Sequence, residues 1–164
     1  MFASNDDLPP QSGLDGQFEA YELLEGLPYQ RSALLMLRRC AFIVGPIMRR
    51  HGWTVPLLSE LSPNDDCLGK SYLKRRTVHR RGSKPTYTVA LSMYLRLRDP
   101  GNPRTLLPID QILRTVLHEL AHFKYRGHFL GFYAFNAQLL AELQRDIEDG
   151  RLRNLVMSLS LIHI

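Results

Sequence analysis

The chain has 164 residues, of which 45% are hydrophobic and 23% charged, and this is the size and composition of one globular domain. No apolar run approaches the ~18 residues that a membrane-spanning helix needs, and the first residues lack the basic start and apolar run of a secretory signal. Cys40 and Cys67 alone do not suggest a disulfide framework, so a reducing compartment is expected.

Charge is divided unevenly along the chain. Residues 1–30 contain six acidic residues and no lysine or arginine, which gives a formal net charge of −6. The remaining residues hold all 21 lysines and arginines and ten acidic residues, so their formal net charge is +11. A body this basic favours a polyanionic partner, either nucleic acid or anionic membrane headgroups.

The first predicted elements are an acidic arm, a helix and a strand. Residues 1–30 are rich in Gly and Pro as well as in acids, which predicts a largely disordered arm in which only Phe18–Leu24 has the pattern of a short helix. Apolar residues recur at helical spacing over residues 32–51 and predict an amphipathic helix that is kinked or divided at Pro46. A strand is expected to begin at residues 53–55.

A second strand and two more helices complete the predicted fold. Apolar and polar residues alternate over residues 87–98, so one side of this strand is expected to be buried, formed by Tyr87, Val89, Leu91, Met93, Leu95 and Leu97. Helical patterns follow over residues 107–124 and 131–149. We therefore predict one domain of helices and strands over residues 31–150, with residues 151–164 as a carboxyl-terminal tail.

The segment that begins at His118 carries the clearest chemical signal. His118, Glu119 and His122 form the pattern H-E-x-x-H, and His128 follows after five intervening residues. Residues four apart share one helix face, so His118 and His122 can present two imidazole nitrogens to one metal ion. A bend at Gly127 would return His128 to the same ion.

The rest of this helix supports the same orientation. Its apolar residues cluster on one face, and they are Ile109, Ile112, Leu113, Val116, Leu117 and Leu120. His118 and His122 lie nearly opposite the centre of that face, since successive residues are rotated by about 100°. The helix would therefore bury one side in the core and direct the two histidines into a cleft.

Three histidines predict a zinc centre that hydrolyses peptides. Three imidazoles leave the fourth position of one tetrahedral Zn²⁺ open, which is typical of a catalytic site. Zinc lowers the pKa of its bound water towards ~7, and Glu119 is placed to take a proton from that water and pass it to the leaving amine. Tyr125, Tyr133 and Arg126 are candidates for a second oxyanion donor, and the sequence does not choose among them.

A basic segment lies between the first two strands. Residues 70–84 contain no acidic residue and seven basic ones, which are Lys70, Lys74, Arg75, Arg76, Arg80, Arg81 and Lys84. As a loop or hairpin this segment would contact DNA phosphates, while Tyr72, His79 and Tyr87 would stack on unpaired bases of single-stranded or distorted DNA. A solvated loop is the alternative that any charged run leaves open, and part of the segment fits a nuclear localisation signal.

A succession of short motifs leads to the histidine segment. In order they are Trp53-Thr54-Val55-Pro56-Leu57-Leu58-Ser59-Glu60-Leu61, Cys67-Leu68-Gly69, Leu95-Arg96-Leu97-Arg98 and Pro108-Ile109-Asp110, with Phe132-Tyr133 after the third histidine. Over residues 32–149 this succession resembles the WLM family of Wss1-like metalloproteases, which is related to the SprT/Spartan group. The resemblance implies a compact zincin-like α+β domain with a small sheet packed on the active-site helix.

The resemblance also implies a function. It predicts a nuclear, DNA-dependent zinc protease, with no membrane partner, that degrades proteins bound or covalently trapped on DNA. By position, His118, His122 and His128 match the zinc ligands of the family, and Glu119 matches its catalytic glutamate. Family members often carry SUMO-binding tails. Residues 161–164 have the apolar pattern of such a motif without flanking acids, so a packed or frayed chain end is the preferred interpretation.

Two other function classes stay open. A metzincin-like protease without DNA dependence would share the three-histidine spacing, but that group is secreted and normally has glycine where this chain has Tyr125. A nucleic-acid-binding module with a structural or vestigial zinc site would fit the charge. A purely structural site, however, has no use for the carboxylate of Glu119.

Overall fold

A computed structural model of the chain describes residues 17–77, 82 and 86–149. The elements in chain order are β1 (Phe18–Glu22), α1 (Gln30–His51), β2 (Val55–Leu61), β3 (Gly69–Thr77), β4 (Thr86–Arg96), β5 (Arg98–Asp99), β6 (Asn102–Leu106), α2 (Ile109–Ala121) and α3 (Leu130–Glu148). The predicted α+β class is confirmed, and the helices begin and end within three residues of their predicted bounds. None of the helices in the described ranges has the length and apolar character needed to cross a lipid bilayer.

Four strands form the main sheet, in the order β1-β2-β4-β3. The β1–β2 and β2–β4 pairs are parallel, whereas β3 and β4 form an antiparallel pair. The strands β5 and β6 form a separate two-stranded ribbon. This order makes β3 an edge strand, so one side of its backbone is not paired within the sheet.

All three helices lie on one side of the main sheet. Helix α1 contacts β1, helix α2 contacts β3 and β4, and the three helices contact one another. Helix α1 is a single helix that runs through Pro46, so a division at this proline is not present. It ends at Gly52, whose φ of 72° lies in the left-handed region that glycine adopts without steric cost.

Residues 18–22 correct the prediction of a disordered or helical arm. They form β1, a strand that pairs in parallel with β2, and the side chain of Phe18 is buried. The short helix predicted near Phe18–Leu24 is therefore wrong, because backbone pairing with β2 outweighs the local composition. Residues 1–16 of the predicted arm and residues 150–164, which include the predicted carboxyl-terminal tail, lie outside the described residues.

Strand β4 follows the predicted alternation only in its second half. Met93, Leu95 and Leu97 are buried as expected, but Leu91 is 46% exposed and Ala90 is 5% exposed. The register explains this difference. Tyr72 pairs with Ser92 and the next residue of β3 pairs with Ala90, so Leu91 is an extra residue in a β-bulge. One extra residue exchanges the two faces of a strand.

A buried ion pair joins the sheet to the segment that follows β1. The side chains of Arg98 and Glu60 are both 0% exposed, and Arg98 Nε donates to Glu60 Oε2 at 2.6 Å. Arg98 Nη1 also donates to the carbonyl oxygens of Pro28 and Pro103, and the N–H of Leu24 donates to Glu60 Oε1. These bonds hold residues 24–28 against the domain. The composition of the same residues predicts that they belong to the acidic arm.

Candidate functional site

The structure brings the three predicted ligands together at the end of α2. His118 lies in the last turn of this helix, His122 is its C-terminal cap, and His128 lies in the connection to α3. The Nε2 atom of His128 is 3.1 Å from Nε2 of His118 and 3.1 Å from Nε2 of His122. Three imidazole nitrogens that converge in this way are positioned to bind a metal ion.

The imidazole of His122 has its second nitrogen occupied. His122 Nδ1 lies 3.0 Å from the carbonyl oxygen of Tyr125, and since a carbonyl only accepts, Nδ1 carries the proton and donates. This tautomer leaves the lone pair of Nε2 for a metal. At His118, burial and then the charges of His122 and His128 lower the pKa, which favours the neutral form that metals bind.

The ring of Phe132 packs against all three imidazoles. Its ring is fully buried, and its centroid lies 4.8 Å from that of His118, 4.6 Å from that of His122 and 4.9 Å from that of His128. The sequence analysis used Phe132 only as part of a family motif. Phe132 lies in the first turn of α3, four residues after His128. This spacing is the sequence feature that could have indicated an aromatic ring at the site.

Glu119 lies beside the histidines and is 5% exposed. Its Oε2 accepts a hydrogen bond from Ser71 Oγ on β3 at 2.6 Å. Burial raises the pKa of the Glu119 carboxyl, and the Ser71 hydrogen bond and the charges of His122 and His128 oppose this rise without cancelling it. Ser71 is not predicted from the sequence, because the basic and aromatic residues of its segment indicate nucleic-acid binding and no motif contains this serine.

The histidines and Glu119 open into a cleft of about 970 Å³ between α2 and β3. Its walls are formed by Cys67, Leu68, Gly69, Lys70, Ser71, Tyr72, Leu73, Gln111, Arg114, Thr115, His118, Glu119, His122, Arg126, His128 and Asn136. The strand approaches the helix closely at Gly69. A Cβ atom there would lie 2.6 Å from Cγ2 of Thr115 and 3.2 Å from Cγ of Glu119, so only glycine fits without a shift.

The three candidate oxyanion donors occupy different positions. Arg126 lines the cleft. The ring of Tyr125 instead packs edge-on against Phe135, with centroids 5.9 Å apart, and is not part of the cleft wall. Tyr133 is exposed, and its ring centroid lies 6.4 Å from that of His128, outside the cleft wall. Among the three, Arg126 is the one that faces the space beside the histidines.

The first half of the basic segment is strand β3, which pairs antiparallel with β4, so of the predicted loop or hairpin it agrees with the hairpin. Lys70, Lys74, Arg75 and Arg76 belong to β3, whereas Arg80, Arg81 and Lys84 lie outside the described residues. Ser71 pairs with the buried Met93 and faces the helices, so the alternate residues Lys70, Tyr72, Lys74 and Arg76 face away from them. Lys70 Nζ is bound to Asp65 Oδ2 at 2.9 Å, while Lys74 and Arg76 are exposed.

Aromatic residues share this outer face. Arg76 pairs with Tyr87 across the β3–β4 ladder, and Tyr72 contacts Tyr94 edge-on with centroids 5.6 Å apart. Both Tyr72 and Tyr87 are about half exposed. Exposed cations and aromatic rings therefore lie together on the outer face of the sheet, next to the strand that borders the cleft.

Comparison with known proteins agrees with this architecture. A family model described as the WLM domain matches residues 17–85 and 86–154. The crystal structure of Wss1 from Saccharomyces cerevisiae aligns with a TM-score of 0.68 and 23% identity, over 83% of this chain and 95% of that chain. Wss1 from S. pombe aligns with a TM-score of 0.59 and 29% identity, over 77% of this chain and 92% of that chain. The search of curated proteins gives no significant match.

The family match begins at residue 17, which agrees with the position of β1 in the sheet. It covers more than half of the chain, and the described fold has the same mixed architecture as the Wss1 structures. The chain therefore belongs to the WLM domain family.

Proposed function

We propose that this chain is a zinc-dependent endopeptidase that is stimulated by DNA and degrades proteins bound or crosslinked to DNA in the nucleus. The observation that carries the peptidase activity is the convergence of three imidazole nitrogens beside a buried carboxylate in an open cleft. The outer face of β3 and β4 supports the choice of DNA as the second ligand.

The donor set fits zinc. Zinc–nitrogen bonds of about 2.0–2.1 Å at tetrahedral angles place two nitrogens about 3.3 Å apart. The Nε2 atom of His128 lies 3.1 Å from each of the other two Nε2 atoms, close to that spacing. His118, His122 and His128 would hold the ion at the cleft, where zinc would supply Lewis-acid polarisation of the scissile carbonyl and make a water molecule more acidic.

Besides zinc, the reaction needs a proton-transfer group and an oxyanion donor, which Glu119 and Arg126 supply. Glu119 takes the proton of the attacking water and returns it to the leaving amine, which is the role of a general base and then a general acid. Its buried position next to His118 places the carboxylate beside the metal ligands. Arg126 in the cleft wall is the donor that stabilises the developing oxyanion.

The free edge of β3 offers a binding mode for a peptide substrate. Residues 69–73 line the cleft with one side of their backbone unpaired in the sheet. An extended peptide can pair with this edge by strand addition, which brings a backbone carbonyl to the metal side of the cleft. The enzyme would therefore cleave extended or unfolded segments in preference to helices.

DNA would bind on the other side of the same strand. Lys74 and Arg76 can contact phosphates, and the half-exposed rings of Tyr72 and Tyr87 can stack on unpaired bases, a combination typical of single-strand binding surfaces. A protein attached to DNA on this face would be held beside the cleft. The charge of the surface thus supports a function in which DNA selects the substrate.

The test compares cleavage of a histone by the zinc-loaded wild type and Glu119→Gln, each with and without single-stranded DNA. We expect cleavage that requires Glu119 and that single-stranded DNA accelerates. Cleavage at the same rate with and without DNA would agree with the proposed peptidase activity and refute the proposed DNA dependence. DNA binding with no Glu119-dependent cleavage would refute the peptidase and support a nucleic-acid-binding module instead.

A further inference from the structure

Ser71 connects the edge strand to the carboxylate of the candidate active site. It lies on β3 opposite Met93 in the β3–β4 ladder, and its hydroxyl donates to Glu119 Oε2 at 2.6 Å. Glu119 is carried by helix α2, so this bond joins side chains 48 residues apart in the sequence. This distance lies within the range of about 2.5–2.7 Å that is typical of a hydroxyl donating to a carboxylate.

The backbone sets the distance between the two side chains. Ser71 is held in position by its ladder partner, and Gly69, two residues earlier on the same face, brings β3 into contact with α2. At Gly69 an added Cβ would overlap Thr115 and press on Glu119, so the strand and the helix are as close as a glycine allows. At this separation of strand and helix, the short serine side chain donates its hydrogen bond directly to the carboxylate.

The hydrogen bond from Ser71 makes the two carboxylate oxygens of Glu119 unequal. Oε2 accepts the hydrogen bond from Ser71, and no hydrogen bond to Oε1 is present among the described residues, so Oε1 is available to accept a proton. Ser71 has no contact with His118, His122 or His128 among the hydrogen bonds of the described residues, so its role is separable from metal binding. The sequence motif H-E-x-x-H does not contain it.

We propose that Ser71 is a positioning residue for the peptide hydrolysis described above: its hydroxyl holds the Glu119 carboxylate in the orientation that accepts the proton of the attacking water. The inference rests on the proposed function, because it names how the carboxylate of that site is oriented. Without this bond Glu119 keeps its place on α2 but can rotate about its side-chain torsions.

The test uses Ser71→Ala and Ser71→Thr, with Ser59→Ala as the matched control. Ser59 is also a strand serine, but it is buried on β2, whereas Ser71 is partly buried. We expect Ser71→Ala to retain the zinc content of the wild type and to unfold at a slightly lower midpoint, because the Glu119 carboxylate loses a hydrogen-bond donor. Its kcat should fall about 10- to 100-fold with KM changed less than about twofold, because small misplacements of a catalytic group lower kcat. Ser71→Thr should recover most of kcat, and Ser59→Ala should leave it unchanged.

A second readout does not depend on activity. Crystal structures of the zinc-free wild type and Ser71→Ala should show the Glu119 carboxylate in one orientation in the wild type and rotated in the variant. An unchanged kcat in Ser71→Ala, or equal losses of kcat, zinc content and stability in both Ser71 variants, would overturn the positioning role. Absence of Glu119-dependent cleavage in the wild type would overturn the proposed function and the positioning role together.

Discussion

Replacing Gly69 by alanine tests the contact between β3 and α2 on which the cleft depends. The new Cβ would lie 2.6 Å from Cγ2 of Thr115, 3.2 Å from Cγ of Glu119 and 3.2 Å from the carbonyl oxygen of Tyr94. Carbon atoms pack at about 3.5–4.0 Å, so the strand must move away from the helix by about 1 Å. The Tyr94 carbonyl belongs to the backbone of β4 and cannot turn aside as a side chain can.

The cost can be estimated from this overlap. Overpacking of a well-packed site costs about 1–3 kcal/mol, and we expect about 2 kcal/mol for Gly69→Ala. Thr115→Ser provides the matched rescue, because it removes Cγ2 and keeps the hydroxyl that donates to the carbonyl of Gln111. The double variant should therefore recover at least about 1 kcal/mol relative to the sum of the two single variants.

Urea unfolding at constant pH and constant zinc concentration measures all four proteins of this cycle. Displacement of the strand by about 1 Å should also lower cleavage by up to about 100-fold, since Ser71 would move away from Glu119. Two results would refute the reasoning: a Gly69→Ala variant as stable as the wild type, or stability losses of Gly69→Ala and Thr115→Ser that simply add.

Three further predictions concern the core, the pH dependence and the outer face. Arg98→Met leaves Glu60 buried without a partner and should cost about 3–5 kcal/mol in urea unfolding. Burial raises the pKa of the Glu142 carboxyl, but hydrogen bonds from His51, Arg50 and Gln138 outweigh it and hold the pKa below the ordinary 4.5. The ionised Glu142 carboxylate therefore stabilises the fold at pH values above 4.5. The difference in free energy of unfolding between the wild type and Glu142→Gln should shrink as the pH falls below 4.5. Lys74→Ala with Arg76→Ala should weaken single-stranded DNA binding and reduce the salt slope by about 1.4.

Each of these predictions has a control. Glu60→Leu in the Arg98→Met background should restore stability, and equal stability of the single and double variants would contradict the burial cost of Glu60. A stability gap for Glu142→Gln that widens at low pH would reverse the sign derived from its lowered pKa. Arg145→Ala removes an exposed cation from α3, on the helical side, and should leave DNA binding unchanged. Equal weakening by this variant would show that only total charge matters.

The ligand set could be predicted from the sequence because its signals are local. Two histidines four apart share a helix face in any α-helix, and the apolar stripe of α2 determines which face is buried. The third ligand, His128, required only that the chain turn back after the helix. In the structure α2 ends at Ala121, and the three nitrogens meet as the spacing predicts.

Other features depend on contacts between distant parts of the chain. The residues of β1 have acidic, turn-rich surroundings, and only parallel pairing with β2 makes them a strand. Leu91 is exposed because of a bulge that no local pattern indicates. Ser71 meets Glu119 across 48 residues, and the buried pairing of Arg98 with Glu60 likewise arises from tertiary packing. Periodicity within a segment contains no information about such partners.

Cleavage of a protein crosslinked to single-stranded DNA tests the central claim most directly. The zinc-loaded wild type and Glu119→Gln are incubated with this substrate at matched zinc content, and mass spectrometry identifies new peptide termini. We expect new termini with the wild type and none with Glu119→Gln, although the variant still binds zinc and DNA. The same termini at the same rate from Glu119→Gln would contradict it.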